Sequence, residues 1–115
     1  MPHLIAAIFV FLFISTAESQ PGPRHLEEVV YDTGRNLLSA RETKEAFKVF
    51  KMNYDKFPNV YTTNIGMGRA HSALAEYKKA LTYIKAALPQ APDDGSKTRT
   101  EAMIKKLEEG KDINE

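Results

Sequence analysis

A 34-residue self-match constrains this chain more than any other feature of its sequence. Shifting the sequence by 34 residues superimposes seven identical residues over positions 27–58. The matched pairs are Gly34 with Gly68, Arg35 with Arg69, Glu42 with Glu76, Lys44 with Lys78, Ala46 with Ala80, Lys51 with Lys85 and Pro58 with Pro92. Similarity at a fixed period of this length is typical of repeat proteins, in which each unit buries its apolar face against the next. The sequence therefore predicts two stacked units, residues 27–60 and 61–94.

Apolar and small residues recur at helical spacing inside each unit. Val30, Gly34 and Leu37 follow one another at steps of three and four residues, and Phe50 and Tyr54 do so in the next segment. Such steps place side chains on one face of an α-helix. No run of alternating β-branched residues indicates a strand. We therefore expect an all-α fold in which each unit is a helical hairpin.

The chain after the second unit, residues 95–115, is predicted to be a capping helix followed by a tail. Residues 98–101, Thr-Arg-Thr-Glu, have the pattern of a capping box, which starts a helix. Gly110 is a natural helix stop, and residues 111–115 are expected to be frayed. The predicted architecture is a short α-solenoid of two hairpins closed at one end by this helix.

The period and the residue types at the matched positions resemble the tetratricopeptide repeat over residues 27–94. Small residues stand at Gly34 and Gly68, and prolines end the units at Pro58 and Pro92. The resemblance implies two tetratricopeptide-type hairpins. The chain departs from the family between the helices of each hairpin, where the usual glycine is replaced by Arg41 and Ala75.

In tetratricopeptide folds the first helices of successive units line a concave groove. The resemblance implies that peptide binding in this groove would use Tyr31, Arg35, Leu38, Ile65, Arg69 and Ser72. Arg35 and Arg69 share one repeat position, and their guanidinium groups could donate hydrogen bonds to carboxylates of a peptide. The alternative is that both arginines are solvated surface residues that pair with nearby acids.

The first helix has no evident cap on its outer side. Its apolar residues Val29, Val30 and Leu37 are expected to be covered either by a second copy, which would make a homodimer, or by a partner protein. The groove and this uncapped helix are therefore two candidate docking surfaces.

The N-terminal segment predicts export. Residues 4–14 form an apolar run, which is shorter than the roughly 20 residues of a membrane-spanning helix. Small residues at Ala17 and Ser19 follow it, as at a signal-peptidase site. We expect a signal peptide at residues 1–19, a linker at residues 20–26, and a mature protein that is periplasmic or extracellular with no stable membrane span. The alternative is an apolar N-terminal helix that remains attached.

Catalytic chemistry has little support in the sequence. The chain has no Cys and three His, and no two His have the i, i+4 spacing of a helical zinc site. His71 falls at an aromatic position of the repeat, where packing is expected. No Ser lies in a G-x-S-x-G context. We expect no catalytic residue, no cofactor and no metal site.

Charge argues against a nucleic-acid partner. The chain has 16 Lys and Arg against 15 Asp and Glu, a formal net charge of +1. The two signs are mixed along the chain, and no basic stripe could neutralise phosphates. The expected partner is therefore a protein or a peptide.

A second, narrower resemblance lies in the C-terminal half. Residues 77–81, Tyr-Lys-Lys-Ala-Leu, and the run from Lys105 to Asn114 are similar to the C-terminal repeat tail of a secreted bacterial family of unknown function. We expect an exported, non-catalytic protein–protein interaction module that uses the groove or the uncapped first helix. The alternative is a structural remnant or accessory tail of a larger secreted protein with no binding role of its own.

Overall fold

Five α-helices make up most of residues 25–115, the part of the chain that the computed structural model describes. The helices are α1 (Leu26–Ser39), α2 (Thr43–Lys56), α3 (Tyr61–Ala73), α4 (Tyr77–Ala87) and α5 (Asp94–Glu108), with a 3₁₀ turn at Leu88–Gln90. No strand occurs within this range, so the prediction of an all-α fold is confirmed. The predicted signal peptide and residues 20–24 of the predicted linker lie outside the described residues. None of the helices in residues 25–115 has the length and apolar character needed to cross a bilayer.

The turns that follow α1 and α3 have the same backbone geometry, 34 residues apart. Arg41 has φ 62°, and the amide of the next residue donates to the Leu37 carbonyl at 2.8 Å. Ala75 has φ 60°, and the amide of the next residue donates to the His71 carbonyl at 2.9 Å. Both turns are Schellman motifs, in which one left-handed residue ends the helix. The period found in the sequence therefore reappears as a repeated turn.

Two large side chains fill spaces that glycines leave open. A Cβ atom at Gly34 would lie 2.5 Å from Cε1 of Phe50, and one at Gly66 would lie 2.7 Å from Cδ1 of the same ring. A Cβ atom at Gly68 would overlap the side chain of Ile84. Phe50 and Ile84 are 1% and 0% exposed. Helices α1 and α3 therefore approach α2 and α4 closely because no side chain separates them at these positions.

The buried apolar residues within residues 25–115 form two clusters, one on each side of α3. The first lies between α2 and α3 and contains Ala46, Phe50, Met67 and Ala70. The second contains Ile65, Ala80, Ile84, Ala87, Leu107 and Ile113. The second cluster therefore joins α3 and α4 to α5 and to the C-terminal tail.

Helix α5 starts earlier than predicted. Its first residue is Asp94, and the Asp93 carboxylate accepts a hydrogen bond from the Ser96 amide at 2.7 Å. The predicted start at residues 98–101 is wrong, because Thr100 is fully buried inside the helix and bonds the Tyr61 hydroxyl at 2.9 Å. The Ser96 hydrogen bond holds the pKa of Asp93 below its ordinary value. The stability that this cap contributes is thus present at neutral pH and is lost as the pH falls through the lowered pKa. The helix ends at Glu108, and Gly110, with φ 71°, provides the predicted stop.

Replacing alanine by glycine should change the free energy of unfolding in opposite directions at a left-handed turn residue and inside a helix. Ala75→Gly should raise the free energy of unfolding by up to about 1 kcal/mol, because a left-handed backbone strains alanine more than glycine. Ala102→Gly, at an exposed position inside α5, should lower it by about 1 kcal/mol, because glycine disfavours helix interiors. Urea unfolding of both variants measures the difference. Equal destabilisation by the two substitutions would contradict the turn geometry.

Candidate functional site

The C-terminal tail, residues 111–115, lies against α3 instead of being frayed. Ile113 is 7% exposed and belongs to the apolar cluster that contains Ile65 and Leu107. Its backbone amide donates to Oγ of Ser72 at 2.9 Å. The prediction of a frayed C-terminus is therefore wrong, because the single apolar residue of the tail reaches a buried site.

Ser72 fixes the backbone of the tail on α3. Its side chain is 1% exposed, and its hydroxyl donates to Oδ1 of Asp112 at 2.7 Å while accepting from the Ile113 amide. Both hydrogen-bonding capacities of the hydroxyl are therefore used by the tail. A buried amide and a carboxylate oxygen would each lose a partner if this hydroxyl were removed.

Asn114 forms hydrogen bonds with Arg69, which lies one helical turn before Ser72 on α3. Its Nδ2 donates to the Arg69 carbonyl at 3.0 Å, and its Oδ1 accepts from Nη1 of Arg69 at 3.3 Å. Nε of Arg69 donates to the Tyr31 hydroxyl of α1 at 2.8 Å. The Arg69 side chain therefore connects α1, α3 and the tail.

Asp112 holds the tail in a turn of its own. Besides the Ser72 hydroxyl, its Oδ1 accepts from the Asn114 amide at 2.9 Å and from Nδ2 of Asn114 at 2.8 Å. A carboxylate that accepts from the amide two residues later forms an Asx turn. Nζ of Lys106 donates to the Glu115 carbonyl at 2.7 Å beyond this turn. Residues 112–114 thus form an ordered hook on α3.

Four of the six residues that the tetratricopeptide resemblance suggested for peptide binding lie at this hook or support it. Arg69 and Ser72 donate hydrogen bonds to it, and Ile65 belongs to the same apolar cluster as Ile113. Tyr31 bonds Arg69 and packs on Phe50, with ring centroids 5.8 Å apart. The role of these residues in binding a partner stays a prediction.

The other two suggested residues lie elsewhere on α1. Arg35 is exposed and lines a shallow depression of about 350 Å³ together with Asp32, Asn36 and Ser39. Leu38 is half-buried and lines a depression of about 330 Å³ that Asp112, Asn114 and Glu115 of the tail also border. The structure thus places Leu38 beside the tail and Arg35 outside its contacts.

A further depression lies on the opposite side of the tail. It has a volume of about 410 Å³ and is lined by Ser72, Tyr77 and Lys106 together with Lys111 and Asp112 of the tail. The tail therefore forms one wall of two depressions. A segment that entered either depression would therefore lie against the tail.

His71 is held by aromatic packing, as its repeat position indicated. Its ring stacks on Tyr83 with centroids 5.5 Å apart and meets the edge of Phe47 at 5.1 Å. Nδ1 lies 3.0 Å from Oε1 of Glu76, and this hydrogen bond is the main reason that the pKa of Glu76 lies below its ordinary value. Across residues 25–115, no three His, Asp or Glu side chains are placed to hold a metal ion together.

The outer side of α1 exposes apolar surface, as the uncapped-helix prediction requires. Leu26 and Val29 are 50% and 44% exposed, and Met52 of α2 is exposed as well. Val30 and Leu37 are half-buried. Whether a partner or a second copy covers this side stays a prediction.

The sequence interpretation missed the tail residues Asp112, Ile113 and Asn114 as part of this site. One signal was available, because Ile113 is the only apolar residue in residues 108–115. An isolated apolar residue has no period, however, so nothing in the sequence indicated its buried position on α3.

Comparison with known proteins gives no family assignment. No protein-family model matches the chain, and neither a curated protein nor a solved structure matches it.

Ser72→Ala should release the tail. The substitution leaves the Ile113 amide and the Asp112 carboxylate without their Ser72 partner, which costs about 1–3 kcal/mol. We expect amide exchange at Ile113 to accelerate by about tenfold or more, as measured by NMR. Thr98→Ala, which removes a hydroxyl at an exposed position near the start of α5, is the control and should leave the rate unchanged. Equal exchange rates in both variants would exclude Ser72 as the anchor.

Proposed function

We propose that this chain is an exported, non-catalytic protein–protein interaction module of the tetratricopeptide type. In this proposal, residues 1–19 are removed as a signal peptide, and the mature protein works in the periplasm or outside the cell. It binds a peptide segment of a partner protein on the face that α1 and α3 share. The observation that carries the proposal is the hook at residues 112–114, a non-helical segment held on that face.

The contacts of the hook support a peptide as the ligand. Ser72 accepts from a backbone amide, a group that almost every residue of any peptide offers. Arg69 offers its carbonyl as an acceptor and its guanidinium as a donor. The same face therefore offers hydrogen-bond donors and acceptors both to a peptide backbone and to polar side chains of a peptide.

The internal symmetry supports the tetratricopeptide arrangement. The Schellman turns recur after 34 residues, and so do the buried pairs Gly34 with Gly68 and Phe50 with Ile84. In a solenoid of this kind, successive first helices lie side by side and form one continuous binding face.

One observation favours the alternative of an accessory tail with no binding role of its own. The face that would bind a peptide already holds residues 112–114. A protein whose groove is filled by its own chain needs no partner to satisfy these polar groups. The capture experiment below separates the two functions.

Affinity capture from a cell-envelope extract tests the proposal. The mature protein should retain a partner, and an Arg35→Ala/Arg69→Ala variant should retain at least about tenfold less, because charge-assisted hydrogen bonds are lost. The matched control is Lys51→Ala/Lys85→Ala, which removes two positive charges at another repeated position, on exposed sites of α2 and α4. Circular dichroism checks that both variants stay folded.

The other outcomes are equally informative. A partner that both variants retain would move the binding surface to the outer side of α1. Capture of a second copy of the chain alone would indicate a homodimer. Absence of any partner would contradict the proposal and favour the accessory tail.

A further inference from the structure

We infer that the C-terminal tail is a displaceable internal ligand, and that the partner segment has the same chemistry as residues 112–114. That chemistry is a carboxylate, an aliphatic side chain and a carboxamide on three consecutive residues. The inference rests on the proposed peptide-binding function and names its ligand class and its regulation.

The carboxamide is the most specific part of the pattern. Asn114 donates to the Arg69 carbonyl and accepts from the Arg69 guanidinium. Among polar side chains, a carboxamide offers a fixed donor and a fixed acceptor on one planar group. A carboxylate would lose the donor to the Arg69 carbonyl and would repel the Asp112 carboxylate, which accepts from Nδ2 of Asn114 at 2.8 Å. An ammonium group would lose the acceptor. The face therefore selects Asn at this position over Asp and Lys.

The middle position selects an aliphatic side chain. Ile113 is buried in the cluster that contains Ile65, Ile84 and Leu107. A polar side chain placed there would be buried without a partner. The position before it selects a hydrogen-bond acceptor, because the Ser72 hydroxyl donates to Oδ1 of Asp112.

The tail can dissociate from α3 while the five described helices stay folded. The turn at Gly110, with φ 71°, is held by hydrogen bonds from the Gly110 amide to the Leu107 carbonyl at 3.0 Å and from the Lys111 amide to the Lys106 carbonyl at 2.9 Å. The pivot therefore lies beyond Lys111, and the end of α5 stays intact when the tail leaves. Helix α5 keeps its own anchors, Leu107 and Thr100, which are buried upstream of that pivot. Only Ile113 is buried in the tail, and depressions of about 410 and 330 Å³ lie on its two sides. An incoming peptide has room to bind beside the tail before replacing it.

A tethered ligand lowers the apparent affinity for a free one. A short flexible link holds the tail at an effective concentration on the order of millimolar. The apparent affinity for a partner is proportional to the fraction of molecules whose tail is released, so it is low when that fraction is small. The native chain should therefore bind weakly until the tail leaves, and tail-released variants should bind tightly.

The test uses the full mature chain and a fluorescent peptide with the sequence of residues 110–115. The tail-released variant is Ile113→Ser/Asn114→Ala, which removes the buried side chain and the carboxamide. We expect the peptide to bind this variant at least about tenfold more tightly than the native chain. A peptide with Asp in place of the Asn, which loses the donor to the Arg69 carbonyl, should bind at least about tenfold more weakly. Adding Ser72→Ala to the tail-released variant should also abolish the gain.

Two results would overturn the inference. One is equal binding of the peptide to the native and tail-released chains. The other is absence of binding to a tail-released chain that circular dichroism shows to be helical.

If the tail-released variant does not fold, the native chain gives the answer. Millimolar peptide should shift the Ile113 methyl resonance of the native chain towards its value in a free peptide, and an unmoved resonance would overturn the inference. Failure of the peptide while partner capture remains sensitive to Arg35 and Arg69 would remove this inference alone. Failure of both experiments would remove the proposed function as well.

Discussion

The contact between two large side chains and three glycines determines the rest of this structure. Phe50 occupies space beside Gly34 and Gly66, and Ile84 does so beside Gly68. Any side chain at these glycines would push α1 and α3 away from α2 and α4, and overpacking of this kind typically costs about 1–3 kcal/mol. Because the helices are close, Tyr31 of α1 can reach Arg69 of α3. The face that holds the tail depends on this approach.

The tail belongs to both the fold and the candidate site. Ile113 adds an apolar side chain to the cluster that joins α3, α4 and α5. Ser72 and Arg69 donate side-chain hydrogen bonds to the same tail segment. Release of the tail therefore removes part of the core and uncovers the binding groups at once. Stability and binding should change in opposite directions when tail residues are substituted.

The sequence predicted what depends on local pattern. Helical spacing predicted a helical hairpin in each unit, and the turns at Arg41 and Ala75 lie where the break between the two helices of each hairpin was expected. The start of α5 was predicted wrongly because residues 98–101 carry a capping pattern, while the true N-cap is Asp93, two residues before Gly95. Both segments satisfy local rules, and the burial of Thr100 against Tyr61 decides between them.

Contacts between distant residues were not predictable in this way. Asn114 and Arg69 are far apart in sequence, and no period connects them. The repeat also suggested that Arg35 and Arg69 play equal roles. The Arg69 guanidinium donates to Tyr31 of the preceding unit, whereas within residues 25–115 no unit precedes the one that contains Arg35. The two matched arginines therefore have different surroundings, which the repeat period alone did not indicate.

The most direct measurement of the tail's position is methyl NMR of the full mature chain in solution. If the tail is seated on α3, Ile113 should show nuclear Overhauser contacts to methyl groups of its cluster, such as those of Ile65 or Leu107. Its chemical shift should also differ from that of a free peptide with the sequence of residues 110–115. A sharp Ile113 resonance at the free-peptide shift, with no contact to any helix, would contradict the occupied groove and the ligand chemistry derived from it.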